Sequence, residues 1–176
     1  MHVARGRAAL VDDVIRAAYA THERELFAYA LRATKDREIA ADLIQECFLC
    51  FVAELRAGRQ PRLVRPWLYR VLTNQIVSRG RHGSVVERWL RSLRQPDTVS
   101  PSPEGAAIAD ETRSELERAI AQLAPDGRVA LLLAAQGFSG PEIASHIGRS
   151  QLATRTLLCR ARMQVRALLE AGDAHE

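Results

Sequence analysis

Few residues in this chain have the chemistry to react or to hold a metal. Cys47 and Cys50 form a Cys-x-x-Cys pair in the stretch DLIQECFLCFV, residues 42–52, and Cys159 stands alone. A zinc centre needs about four ligands at matched spacing. No second Cys-x-x-Cys follows, and His22, His82 and His146 have no paired spacing. A dithiol redox site needs a strand feeding a helix, whereas the surrounding pattern is helical on both sides. Positions 47 and 50 fall on adjacent turns of one helix face, near Leu43 and Phe51, and a free Cys behaves as a small buried hydrophobe. The pair therefore reads as packing, with a Cys47–Cys50 redox switch as the alternative. There is no Gly-rich phosphate loop and no nucleophile motif. The expectation is a protein without catalytic residues, metal or cofactor, and not an enzyme.

Other residue types point to recognition. In RPWLYRVLTNQIV, residues 65–77, Leu68, Val71, Leu72 and Ile76 form an apolar stripe. Tyr69, Arg70, Thr73 and Asn74 gather on another face by the i, i+3, i+4 rule. On an exposed face, a ring can stack on a base, a guanidinium can hold phosphate, and an amide can read a base edge. Arg79, Arg81, Arg88, Arg91 and Arg94 continue the positive track, opposed only by Glu87. Trp67 and Tyr69 are equally suited to anchor a core. Asn74 and the arginines are read as nucleic-acid contacts.

The elements that must position these residues are helices. Residues 9–33 space Val14, Ala18, Leu26, Ala30 and Leu31 as one long helix or two. Asp36 is a candidate N-cap and Gly58 a stop for the helix carrying the cysteines. Pro66 suits a first helical turn, and residues 84–93 add a short piece. The segment RQPDTVSPSPEGAAIAD, residues 94–110, carries three of the seven prolines and no apolar period, so it reads as a linker. Beyond it come TRSELERAIAQLA and DGRVALLLAAQG. Next is SGPEIASHIG, with Ser139 and Glu142 spaced as a capping box and Gly148 as its end. In the last helix Thr154, Leu158, Ala161, Val165 and Leu168 form the core stripe. The predicted fold class is all-α. Two small helical domains, 1–94 and 112–176, flank a flexible acidic linker at 95–111, and the second domain is a helix-turn-helix.

Bulk composition agrees with a polyanion partner. The net charge is +4, with 17 Lys and Arg against 10 Asp and Glu in residues 1–95, and one against six in residues 96–117. Basic blocks flanking an acidic segment suggest nucleic acid, although a merely solvated surface has the same charge. No run reaches the roughly 20 apolar residues that span a bilayer, and the N-terminus lacks a signal-peptide pattern. Three cysteines, an odd number, suit a reducing compartment. A cytoplasmic protein without membrane insertion is expected.

Three segments together resemble a known family. DLIQECFLCFV looks like the Asp-Leu-Val-Gln-Glu-x-Phe segment of bacterial RNA polymerase sigma factors. VRPWLYRVLTNQIVSRGRH, residues 64–82, resembles their Phe-Arg-x-Trp-Leu-Tyr-Arg-Ile-Ala-x-Asn segment. GFSGPEIASHIGRSQLATRTLLCRARMQVRALL, residues 137–169, resembles their second conserved domain. Order, spacing and length are similar to those of the extracytoplasmic-function group, which keeps only these two domains. The resemblance implies a subunit that brings core polymerase to specific promoters and stabilises strand opening. By resemblance, Asp42, Gln45, Glu46 and Leu49 dock on the polymerase core, with its beta and beta-prime subunits as partners. The first domain melts and reads the minus-ten element of promoter DNA through Tyr69, Arg70, Thr73, Asn74, Arg79 and Arg81. The linker threads the polymerase. The helix-turn-helix reads the minus-thirty-five element; Arg149, Ser150, Gln151, Arg155, Thr156, Arg160 and Arg162 are its expected contacts, and Arg166 follows on the Arg155 side. A separate anti-sigma protein is the expected regulator.

The chain departs from that pattern at Ser78, where the family usually has Asp, and at Arg149, Thr154 and Leu157. The recognition helix is less basic than the family's. Two other functions compete: a sigma-like decoy that binds an anti-sigma protein without touching promoters, and a plain helix-turn-helix regulator. The second leaves the segments at 42–46 and 67–74 unexplained.

Overall fold

The computed structural model describes the backbone of residues 2–82 and 107–173, and the side chains of residues 10–80 and 113–171. The described residues form seven helices and no strand: α1 His2–Thr34, α2 Arg37–Arg56, α3 Val64–His82, α4 Ala107–Gln122, α5 Pro125–Ala135, α6 Gly140–Ile147 and α7 Gln151–Asp173. By their contacts they divide into two compact units, Met1–Ile76 and Val77–Glu176. The division falls just past Ile76, the last buried residue described in α3. Gly83, Arg88, Arg91, Arg94, the short piece at 84–93 and most of the linker lie outside the described residues, as does the side chain of Arg81.

The first unit is built on a tight α1–α2 hairpin. Lys35 turns the chain with φ 61°, a left-handed conformation that usually ends a helix at Gly or Asn. Its N–H still bonds the Leu31 carbonyl at 2.7 Å. Asp36 then caps α2, its carboxylate accepting from the Ile39 N–H at 3.0 Å. The apolar spacing of α2 buries Ala40, Leu43, Ile44, Cys47, Phe48, Phe51 and Leu55. Aromatic contacts join the three helices: Tyr19 meets Phe48, with ring centroids 4.8 Å apart, and Phe51 meets Trp67 at 5.7 Å. From α3, Leu68, Tyr69, Leu72, Thr73 and Ile76 complete the core.

The second unit packs four helices. α4 begins at Ala107, so residues 107–111, read from sequence as the end of the linker, are helical. The run that follows Gly105 contains no Pro or Gly, and its Ala-rich start has high helix propensity. Ala119 of α4 and Leu123, just past its end, cluster with Ala161 and Val165 of α7. Arg128 of α5 is buried, and its guanidinium donates to the carbonyls of Ala121 at 3.1 Å and Leu123 at 2.8 Å. These groups belong to the otherwise orphaned end of α4. At the start of α6 the Glu142 carboxylate accepts from the Ser139 N–H at 2.8 Å and from its hydroxyl at 2.6 Å, and the two residues form the capping box read from the sequence. Those two bonds, the hydroxyl first, hold the Glu142 carboxyl below the usual carboxylate range. Gly148 ends α6 at φ 67°, and Ser150 caps α7, its hydroxyl accepting from the Ala153 N–H at 3.2 Å.

The cysteines divide. Cys47 is fully buried and its thiol donates to the Leu68 carbonyl at 3.5 Å. Burial, then the neighbouring Cys50, push that thiol up to about 12. Cys50 is exposed, as is Cys159. The packing expectation is therefore corrected for Cys50: a step of three residues turns the helix about 300°, enough to carry position 50 off the core. Among the described residues no cluster of His, Cys, Asp or Glu could hold a metal ion.

Candidate nucleic-acid interface

On α3 the four residues grouped by type separate into two layers. Arg70 and Asn74 are exposed, one helical turn apart. Tyr69 and Thr73 are fully buried, and their expected place on an exposed face is corrected. Thr73 shares a 2.8 Å hydrogen bond with the Tyr29 hydroxyl of α1. Tyr69 packs its ring edge-on to Tyr29 at 5.2 Å, with the Arg65 guanidinium 4.9 Å from its centroid. Arg65 in turn donates to the Glu25 carboxylate at 3.1 and 3.2 Å, and His22 Nδ1 lies 2.8 Å from the same carboxylate. Burial, then the Glu25 charge, raise the Tyr69 phenol to about 12, against the opposing charge of Arg65. Burial likewise raises the Tyr29 phenol. A ring that removes about 150–250 Å² from water has more to gain inside than on the surface, and the hydroxyl of Thr73 gives Tyr29 a partner there. Arg79 is exposed further along α3.

On α2, Asp42, Gln45, Glu46 and Leu49 form one exposed stripe at i, i+3, i+4 and i+7. Leu49 is 60% exposed, an apolar side chain set within the polar face.

The second unit presents α7. Thr154, Leu158, Ala161 and Val165 are buried, as their spacing predicts. The side of α7 next to this stripe borders, with the start of α6, an open groove of about 720 Å³. Gly140 and Pro141 form one wall, and Gln151, Arg155, Arg162 and Arg166 line the other. Ser150, Thr156 and Arg160 are exposed but do not line it. Arg149 is ion-paired with Asp126 of α5, so a carboxylate already balances its charge. Four groove residues of α7 were not expected as contacts from the sequence: Leu152, Leu158, Cys159 and Met163. They were legible as positions one helical step from Gln151, Arg155 and Arg162, but their apolar or thiol character drew no attention as contacts.

A capped helix, a left-handed glycine and a second helix whose outer face carries Gln and Arg form a helix-turn-helix with the features of a DNA reader. Residues 18–85 match the family described as Sigma-70 region 2, and residues 113–165 match Sigma-70, region 4. The ECF RNA polymerase sigma factor SigL of Mycobacterium tuberculosis is 30% identical, over 93% of this chain and 91% of its own length.

The chain belongs to the ECF sigma factors.

SigM of Bacillus subtilis, also an ECF RNA polymerase sigma factor, is 26% identical over 92% of this chain and 96% of its own. Two solved structures share the fold. The sigma factor RpoE, crystallised with the anti-sigma factor NepR from Bartonella quintana, superposes with a TM-score of 0.69 at 21% identity, covering 88% of this chain and 96% of that one. CnrH, in complex with the cytosolic domain of CnrY, gives 0.61 at 23% identity, covering 95% and 97%. The exposed residues of α2 and α3 thus lie in the sigma factor's region 2, and the α6–α7 groove lies in its region 4. The protein is a promoter-specificity factor for transcription initiation. No described helix of this sigma factor is long and apolar enough to cross a membrane.

Proposed function

We propose that region 2 and region 4 divide promoter recognition between them. Arg70 and Asn74, with Arg79 and Arg81 further along the chain, grip and read the melted minus-ten strand. Gln151 and Arg155 read the minus-thirty-five duplex from the first turns of α7. Arg162 and Arg166, farther from the helix N-terminus, hold phosphate. The exposed stripe Asp42, Gln45, Glu46 and Leu49 docks on core polymerase through its beta and beta-prime subunits. The functional domains run from 1 to 94 and, with α4 taken from its first residue, from 107 to 176, with the acidic segment between them threading the polymerase. The protein catalyses no reaction of its own. It works in the cytoplasm, and an anti-sigma protein controls it, as NepR is found with its relative.

The observation that carries this reading is the exposed Gln151–Arg155–Arg162–Arg166 face beside the α6 N-terminus, in a chain whose other unit exposes Arg70 and Asn74. The experiment is promoter-dependent transcription. The purified protein, bacterial core polymerase and a library of genomic fragments are mixed, and transcript starts are sequenced. Starts sharing two upstream motifs at fixed separation are expected. Asn74→Ala should relax the motif near the start, and Arg155→Ala the distant one, each by about 10–100-fold in discrimination. A folded protein that fails to bind core would sink the reading and favour the decoy.

A further inference from the structure

The first turn of α7 carries an apolar side chain in an unexpected place. Leu152 is 77% exposed, the most exposed large hydrophobic among the described residues. It lies on the groove wall between Gln151 and Arg155 and faces the α6 start at Gly140 and Pro141. The core stripe beginning at Thr154 packs without it, so folding of the unit gives no reason for a leucine here. In a helix-turn-helix the first turn of the second helix meets base edges. Every base pair presents polar donors and acceptors in the major groove, and only thymine adds an apolar group there, its C5-methyl.

We propose that Leu152 is a specificity-determining residue that reads a thymine methyl in the upstream promoter element, beside the bases read by Gln151 and Arg155. The assignment rests on α7 entering the major groove, as set out under Proposed function. It makes α7 a mixed reader: polar contacts select by hydrogen bonds, and Leu152 selects by excluding water from one methyl group. A promoter position filled by thymine is thereby favoured over cytosine, which has no methyl group at that edge.

The test uses the whole protein assembled with core polymerase and a promoter identified from the sequenced starts. Each thymine of the upstream element is replaced in turn by deoxyuridine, which removes the methyl and nothing else. Promoter binding is then measured by competition. For the unaltered protein, one or two replacements should weaken binding about fourfold, the worth of one buried methyl. Leu152→Ala should bind thymine DNA more weakly by a similar factor and lose its sensitivity to those replacements. Leu152→Met, which restores an apolar side chain, should regain it. Because Leu152 is exposed, both variants should melt with the parent.

A Leu152→Ala protein that keeps the parent's methyl sensitivity at every position overturns the proposal. So does one that loses only its affinity for core, which would turn Leu152 toward polymerase. Arg155→Ala, run in parallel, separates the two levels. If it alters upstream base preference while Leu152→Ala leaves methyl sensitivity intact, only the Leu152 assignment falls. If neither Arg155→Ala nor any base change in the upstream element matters, the major-groove reading falls and takes the Leu152 assignment with it.

Discussion

Two threonines, one in each unit, are fully buried and hydrogen-bonded, yet they serve different purposes. Thr73 of α3 reaches across to the Tyr29 hydroxyl of α1. Thr154 of α7 turns back to the Ser150 carbonyl in its own helix at 2.9 Å. The first bond joins elements far apart in sequence; the second is local and leaves the core contact to the methyl group. The same contrast runs through the two recognition helices. α3 lies in a core of aromatic rings and keeps only Arg70 and Asn74 of its polar quartet outside. α7 lays one stripe on an aliphatic core and leaves the neighbouring side open along the groove. How deeply a helix is sunk among its neighbours decides how many of its polar residues remain available to a partner.

The largest change should come from cutting into the aromatic core. Phe51 is fully buried against Trp67, and Phe51→Ala should cost about 3–5 kcal/mol, read by urea unfolding. Next is Arg128, whose buried guanidinium satisfies the end of α4. Arg128→Met keeps the stem and removes charge-assisted bonds, so a loss of about 1.5–3 kcal/mol is expected; full stability in that variant would show that the α4 end does not need the side chain. The threonine pair then tests the comparison directly. Thr73→Val strands the buried Tyr29 hydroxyl and should cost about 1–3 kcal/mol. Thr154→Val leaves the Ser150 carbonyl bonded to the Thr154 N–H and should change stability by no more than about 0.5 kcal/mol. Equal losses would erase the distinction.

Two smaller effects sharpen it. The Glu142 carboxyl is held below its ordinary range by Ser139. Its contribution to the α6 cap is therefore present above the unfolded-state value and is lost as pH falls through the lower, folded one. The stability difference between the parent and Glu142→Gln should shrink over that acidic window and stay constant near neutrality. Finally, native protein should take up a maleimide at Cys50 and Cys159, with Cys47 labelled only after unfolding, as mass spectrometry of timed samples would reveal. Early labelling of Cys47 would mean that the α2–α3 packing opens readily.

Much of the fold was legible because it is local. The Asp36 cap, the Ser139–Glu142 box, Gly148 and the α7 stripe from Thr154 to Val165 are each fixed by residues within a few positions of one another. Helical spacing alone also puts Asp42, Gln45 and Glu46 on one face, and the fold adds Leu49 to it. What it could not decide was exposure at positions where polar type and burial disagree. Thr73 read as a surface residue, and Tyr69 as either surface or core, until Tyr29, some 40 positions away in the chain, supplies a ring to pack on and a hydroxyl to bond. Arg149 read as a DNA contact, and the fold adds Asp126 of another helix beside it as an ion-pair partner. The exposure of Leu152 emerges only once the core has closed without it. Sequence by itself determined that the chain is helical, where the capped ends at Asp36, Ser139 and Gly148 fall, and the faces its helices can present. Only the tertiary structure decided which faces were spent on packing, because that depends on which distant side chains arrive beside them and whether a buried polar group finds its partner there.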